Sequence, residues 1–313
     1  MDLIPQSGPH LHILLNHFPS MGFVFGLGFF ITAIAFNNDL MKRACLVLFV
    51  ILGVLSIPTY ISGAASMWAL NGDPGSPKSL INHHRDIALL AFIGLGITGC
   101  VAWLILWRVR TGAVLSNRSL YVVLGLALVT FYFMAEAGHE GGFITHEEIR
   151  GAEQLAASND NVGRTVELEN VFNSMLYAFP AMETLHFLGM AMVFGTVLFV
   201  TLRVLGMVKM IPFSAVHRLL PLGLIGLFIN SVSGMLLFIA DSGRYVAMPS
   251  FPHKIEAIVV GTIAVLYFSL SDKLWELKAG EDASVTAKAV AAVTLVSWTL
   301  VVIFGRILPY TEG

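Results

Sequence analysis

Histidine is the residue type whose placement points to chemistry in this chain. Of ten histidines, nine (His10, His12, His17, His83, His84, His139, His146, His186 and His253) fall near the same ends of a series of apolar segments. Only His217 belongs to the opposite ends. Imidazole is the commonest metal ligand and the side chain that titrates near neutrality. Ionisable groups in membrane segments are costly and therefore default to functional candidates.

An internal repeat selects four of them. The segment HFPSMGFVFGLGFF begins at His17, and HFLGMAMVFGTVLF begins at His186. Aligned on the histidines, they share His17/His186, Phe18/Phe187, Met21/Met190, Val24/Val193, Phe25/Phe194, Gly26/Gly195 and Phe30/Phe199. Apolar composition alone predicts about one or two such matches. The same 169-residue offset carries His84 onto His253, where HRDIA faces HKIEA. Ser62-Gly63 and Ser233-Gly234 match at 171 residues, while the fourth and eighth segments show no convincing match. Self-similarity at a fixed period signals a duplicated unit.

Two histidines at one end of a four-helix unit, from its first and third helices, can approach a flat macrocycle from opposite sides. The reading is haem b, two per chain or one. His17 and His84 would ligate the first centre, and His186 and His253 the second. Arg85 and Lys254, each beside a third-helix histidine, are placed for the haem propionates. Two axial nitrogens leave iron no open position, which favours electron transfer over oxygen binding. No Cys-x-x-Cys-His occurs, so covalent c-type attachment is excluded.

A non-haem iron, copper or zinc site competes through Glu136…His139, Glu183…His186 and His253…Glu256, all three residues apart. Residues at that spacing share a helix face, but a di-iron site needs further glutamates. The first three segments offer no buried one, so orienting a ligand histidine is the alternative role. His139 has no repeat partner; it is an extra ligand, a proton carrier or a partner contact. His10, His12, His83 and His146 stay between ligand and solvated interfacial imidazole.

The elements that position these groups follow from charge scarcity. The chain has 313 residues, 56% hydrophobic and 12% charged, with mean hydropathy +0.79. Soluble domains carry about 25% charged residues. No charge lies between Asp2 and Asp39, Asp86 and Arg108, Arg118 and Glu136, or Arg218 and Asp241. About 20 such residues span a bilayer as a helix. A cytosolic enzyme, a disulfide scaffold and a nucleic-acid binder are excluded. Cys45 and Cys100 sit in apolar segments, and the chain reads as mature from Met1.

The predicted spans are 11–36, 43–68, 82–107, 119–138, 172–203, 214–240, 251–272 and 287–307. The expected fold is all-α integral membrane: eight transmembrane helices as two tandem parallel four-helix repeats. Residues 1–138 form the first bundle, 139–171 an outer loop and 172–313 the second bundle. One face holds eleven basic and five acidic residues, the other seven and fifteen. Lysine and arginine excess marks the inside, so both termini, the long loop and nearly all the histidines face outward.

The first half resembles a family of bacterial membrane proteins defined by a domain of unknown function and suspected of binding haem. The residues that carry this are His17-Phe18-Pro19, His84…Ala88 and Gly141-Gly142…His146. The second half resembles another such family through His186, Leu202-Arg203-Val204-Leu205-Gly206, Ser231…Gly234 and Pro249…Phe251…Lys254. It departs from that family at Thr201, where an acidic residue is usual, and His253 is not typical of it. The resemblances imply a b-type cytochrome-like protein of the bacterial cytoplasmic (inner) membrane. It would be a non-catalytic electron-transfer subunit working between quinone or a partner subunit and a periplasmic redox protein such as a c-type cytochrome. The alternatives are a haem-free anchor, docking periplasmic partners through the acidic outer loop, and a non-haem metal protein.

Overall fold

The computed structural model describes residues 7–71, 77–146, 150–151 and 163–311, and all regular structure among them is helical. The helices are α1 (Gly8–Ala35), α2 (Asp39–Ala69), α3 (Lys78–Arg110), α4 (Asn117–Thr145), α5 (Arg164–Ser174) and α6 (Ala178–Leu205). There follow α7 (Phe213–His217), α8 (Leu220–Ala240), α9 (Ser242–Ala247), α10 (Ser250–Leu270), α11 (Asp272–Trp275) and α12 (Val285–Ile307). Eight spans are long and apolar enough to cross a bilayer, α7 and α8 together making one of them. The chain is an all-α, multi-pass membrane protein.

Local chemistry sets the helix ends. Ser7, Asn38, Ser116 and Ser284 each accept a first-turn backbone N–H at the starts of α1, α2, α4 and α12. Each thereby satisfies a donor that the helix itself leaves unpaired. Helix α6 stops at Gly206, whose φ of +94° is the left-handed conformation glycine adopts without steric cost. Large apolar side chains face outward: Phe25 is 61% exposed and Phe187 68%. Lipid, rather than water, is the medium that suits such a surface.

The chain divides into two compact units, Met1–Leu106 with Leu115–Ser174, and Trp107–Val114 with Met175–Gly313. In the first, α1 packs on α2 and α4. There α2 meets α3 at Gly53 and Gly99, and Thr98 bonds Thr130 between α3 and α4 at 3.1 Å. In the second, α6 packs closely on α8 through Gly189 and Gly226, and α12 packs on α10 and α6.

The buried positions of the two units correspond, at a register the sequence alignment did not use for the first helices. Pro19, Phe23, Gly26, Leu27 and Phe30 are buried in α1, as are Val193, Val197, Val200, Thr201 and Val204 in α6, each 174 residues later. At 169 the pattern fails, because Phe30 is buried whereas Phe199 is 44% exposed. In α3 and α10 the matching offset is 170: Leu80/Ser250, Ile81/Phe251, Ala91/Gly261, Thr98/Phe268 and Gly99/Ser269 are all buried. Helices α4 and α12 also correspond, with buried Val123/Ala287, Ala127/Ala291 and Thr130/Thr294 at 164.

Two predicted boundaries shift. Helix α4 runs through Thr145 rather than 138, and the predicted 172–203 span is two helices, α5 and α6, broken at residues 175–177. The start of α5 is fixed from afar: Asp86 of α3 accepts the backbone N–H groups of Arg164 (2.6 Å) and Thr165 (2.7 Å). Residues 147–149 and 152–162 of the predicted outer loop lie outside the described residues.

Candidate functional site

The histidines of the first unit separate by what holds their rings. His12, in the second turn of α1, points its Nδ1 at the Thr59 carbonyl and the Ser62 hydroxyl of α2, both at 3.1 Å. A carbonyl oxygen can only accept, so Nδ1 carries the proton and Nε2 of the neutral ring keeps its lone pair. Gly63 makes room for the ring: a Cβ there would lie 3.0 Å from His12 Cε1. His84 of α3 is held the same way, with Nδ1 donating to the Ala137 carbonyl of α4 at 2.9 Å beside Gly141. The two imidazoles lie within electrostatic range of each other at one end of the unit.

His17 is not part of this pair. It is exposed, and its Nδ1 bonds the Ile13 carbonyl of its own helix at 2.6 Å. Five residues turn a helix by about 140° beyond a full turn, so His17 and His12 occupy different faces. His84 is brought together with His12 instead.

In the second unit His186 of α6 repeats the His12 seat. Its Nδ1 contacts the Asn230 carbonyl (3.1 Å) and the Ser233 hydroxyl (3.2 Å) of α8, and a Cβ on Gly234 would lie 2.9 Å from its Cε1. Asn230 closes the arrangement by donating its side-chain amide to the His186 carbonyl at 2.8 Å. Opposite, the position equivalent to His84 is Lys254, not His253. Lys254 lies beside Gly305 of α12, as His84 lies beside Gly141, and it is within electrostatic range of His186. His253 is 60% exposed, bonded to Glu256 at 3.1 Å and tilted against Phe304.

Arg85, His83, His139 and His217 have other partners. Arg85 faces Glu169 of α5 at 3.9 Å and lies next to the Tyr60 hydroxyl. His83 meets Glu140 at 3.7 Å. His139 is exposed and packs edge-on against Phe143. His217 is buried at the other end of the second unit, where its Nε2 is 3.3 Å from the Ser269 hydroxyl and its ring 4.8 Å from that of Trp275.

A pair of oriented imidazoles is a donor set that a haem would use. Among the described residues no third His, Cys, Asp or Glu joins the pair into a closed metal site of protein ligands. A porphyrin brings four nitrogens of its own and asks the protein for one or two axial ligands. The carbonyl bonds at Nδ1 are the second contacts that orient a ligating imidazole and raise its basicity. Sequence reasoning left His12 undecided, although Ser62-Gly63 and Ser233-Gly234 were the matching signal for its seat. Compared with known proteins, the chain matches no family model, no curated protein and no solved structure.

Proposed function

We propose that the chain is a membrane-embedded, b-type cytochrome-like electron-transfer subunit whose first unit holds haem b between His12 and His84. The observation that carries this reading is the pair of imidazoles, each tethered through Nδ1 to a carbonyl of a neighbouring helix. Haem b held by His12 and His84 would supply one-electron redox chemistry. The protein's own part is to fix both rings, keep Nε2 unprotonated and exclude water with apolar helices. Tyr60, Arg85, Asp86 and α5 cover the same end of the unit, where Arg85, paired with Glu169, would be the candidate partner of a propionate.

The charge distribution supports a bacterial inner-membrane location with both termini and the paired imidazoles on the periplasmic side. Electrons would then pass between quinone or a membrane partner and a periplasmic redox protein such as a c-type cytochrome. A single-sided centre does not by itself carry electrons across the bilayer. The test is a pyridine haemochrome assay and reduced-minus-oxidised spectrum of the purified chain. Stoichiometric haem b supports the proposal. Folded protein purified without haem, and unable to take up added haemin, would overturn it in favour of a haem-free anchor.

A further inference from the structure

The second unit presents the same seat with one change: where the first has His84, it has Lys254. The equivalence rests on burial and on neighbours. The buried faces of α3 and α10 match at 170 residues, which is the separation of His84 and Lys254. Gly141 of α4 flanks His84, and Gly305 of α12 flanks Lys254, with Nζ 3.6 Å from where a Cβ on Gly305 would be. Across the seat, His12 and His186 have the same tether and the same Ser-Gly platform. Among the described residues, Lys254 makes no hydrogen bond or ion pair.

An amine at the edge of a membrane bundle without a partner is costly unless a ligand completes it. The available ligand chemistry is narrow. His186 is oriented with Nε2 free, as a metal-ligating imidazole is, and the lysine amine is the second nitrogen donor of the seat. His253 cannot replace it, because its ring is outside, engaged by Glu256 and Phe304.

We infer that the second unit binds a haem through mixed axial ligation, the imidazole of His186 on one side and the amine of Lys254 on the other. The inference rests on the haem reading proposed for the first unit. Coordination uses the lone pair of the neutral amine: an Nζ–iron bond forms, the ammonium proton leaves to solvent, and iron keeps its oxidation state. The chain thus carries two low-spin centres with different ligand sets. An imidazole and an amine differ in their electronic influence on iron, and ligand identity is a lever on potential. The duplication would therefore provide two unequal centres rather than two copies of one.

The test is electron paramagnetic resonance and near-infrared charge-transfer spectroscopy of the ferric, full-length protein, with haem counted per chain. The expected parent has two haems and two low-spin signatures, one bis-imidazole and one imidazole–amine. Lys254→Met should remove the imidazole–amine signature and leave the other intact. Lys254→His should convert it to a second bis-imidazole signature, which a merely structural lysine would not do. His253→Ala should change neither. One haem per chain with spectra indifferent to Lys254→Met, or a second bis-imidazole centre lost in His253→Ala, would overturn the inference while leaving the first-unit proposal standing. Absence of haem in the parent would overturn both.

Discussion

A methyl group on residue 63 would sit 3.0 Å from Cε1 of His12, and one on residue 234 would sit 2.9 Å from Cε1 of His186. Both glycines follow a serine whose hydroxyl contacts the same ring. Space and hydrogen bonding are thus supplied together, by one turn of the neighbouring helix. Gly63→Ala should displace the imidazole or spread α1 from α2. Overpacking of this kind costs about 1–3 kcal/mol. The expected result is weakened haem retention in the first unit, read by titrating haemin into the variant. Full retention at parental affinity would show that the platform is not needed.

Asp86 joins α3 to the start of α5. Its carboxylate takes two backbone N–H groups at the start of α5 and is also bonded by the Thr165 hydroxyl. Capping side chains contribute about 1 kcal/mol to a helix. Asp86→Ala should therefore release α5 locally. Hydrogen exchange should accelerate over residues 164–174 while α1 and α2 keep their protection. Unchanged exchange in α5 would contradict the capping role.

Arg203 anchors the opposite end of the second unit. Its guanidinium is fully buried and donates to the carbonyls of Ile211, Lys278 (2.8 Å) and Glu281 (3.3 Å). These carbonyls belong to two separate connections, 206–212 and 276–284, so one side chain ties both. Arg203→Ala removes three hydrogen bonds from a charged donor to these carbonyls, at a cost of about 2–4 kcal/mol. Thermal unfolding in detergent should occur at lower temperature, with earlier proteolysis in these connections. Parental unfolding behaviour would reject the anchor.

Asp282 gives a pH dependence with a definite sign. Lys288 and Lys209, at 3.2 and 3.3 Å, hold its carboxyl below the ordinary value of 3.8. A carboxyl depressed in the folded state stabilises above its unfolded value and loses that contribution as pH falls through the folded value. Stability should therefore decline on acidification from about pH 5 downward. In Asp282→Asn this part of the decline should be absent, as followed by melting temperature against pH. Identical acid slopes in parent and variant would contradict it.

The membrane fold was legible because charge is missing over helix-length stretches, and all eight spans overlap the apolar runs, although the fifth begins at Ala178 rather than 172. The site was legible only in part. The strongest local identity, HF…M..VFG…F, rests partly on outward-facing residues, Phe18 at 59% exposure and Phe187 at 68%, and pairs buried Phe30 with exposed Phe199. Lipid-facing positions share composition because they share a solvent, so their match fixed the wrong rotation of α1 against α6. The core-facing match is made of dissimilar residues, such as Phe23 with Val197, and depends on packing that no letter comparison records. The α4–α12 correspondence was hidden for a related reason, resting on small residues such as Ala127/Ala291 and Gly141/Gly305. His12 was visible throughout, but its tether to Thr59, 47 residues away, depends on how α1 and α2 meet. The start of α5 was hidden likewise, since its cap lies 78 residues earlier in the chain.

The central claim is that His12, rather than His17, completes the first centre. Haem content and ferric spectra of His12→Ala and His17→Ala, purified side by side with the parent, test it directly. His12→Ala should lose the bis-imidazole low-spin signature, and His17→Ala should keep it at parental stoichiometry. Loss of that signature in His17→Ala, with His12→Ala unchanged, would contradict it.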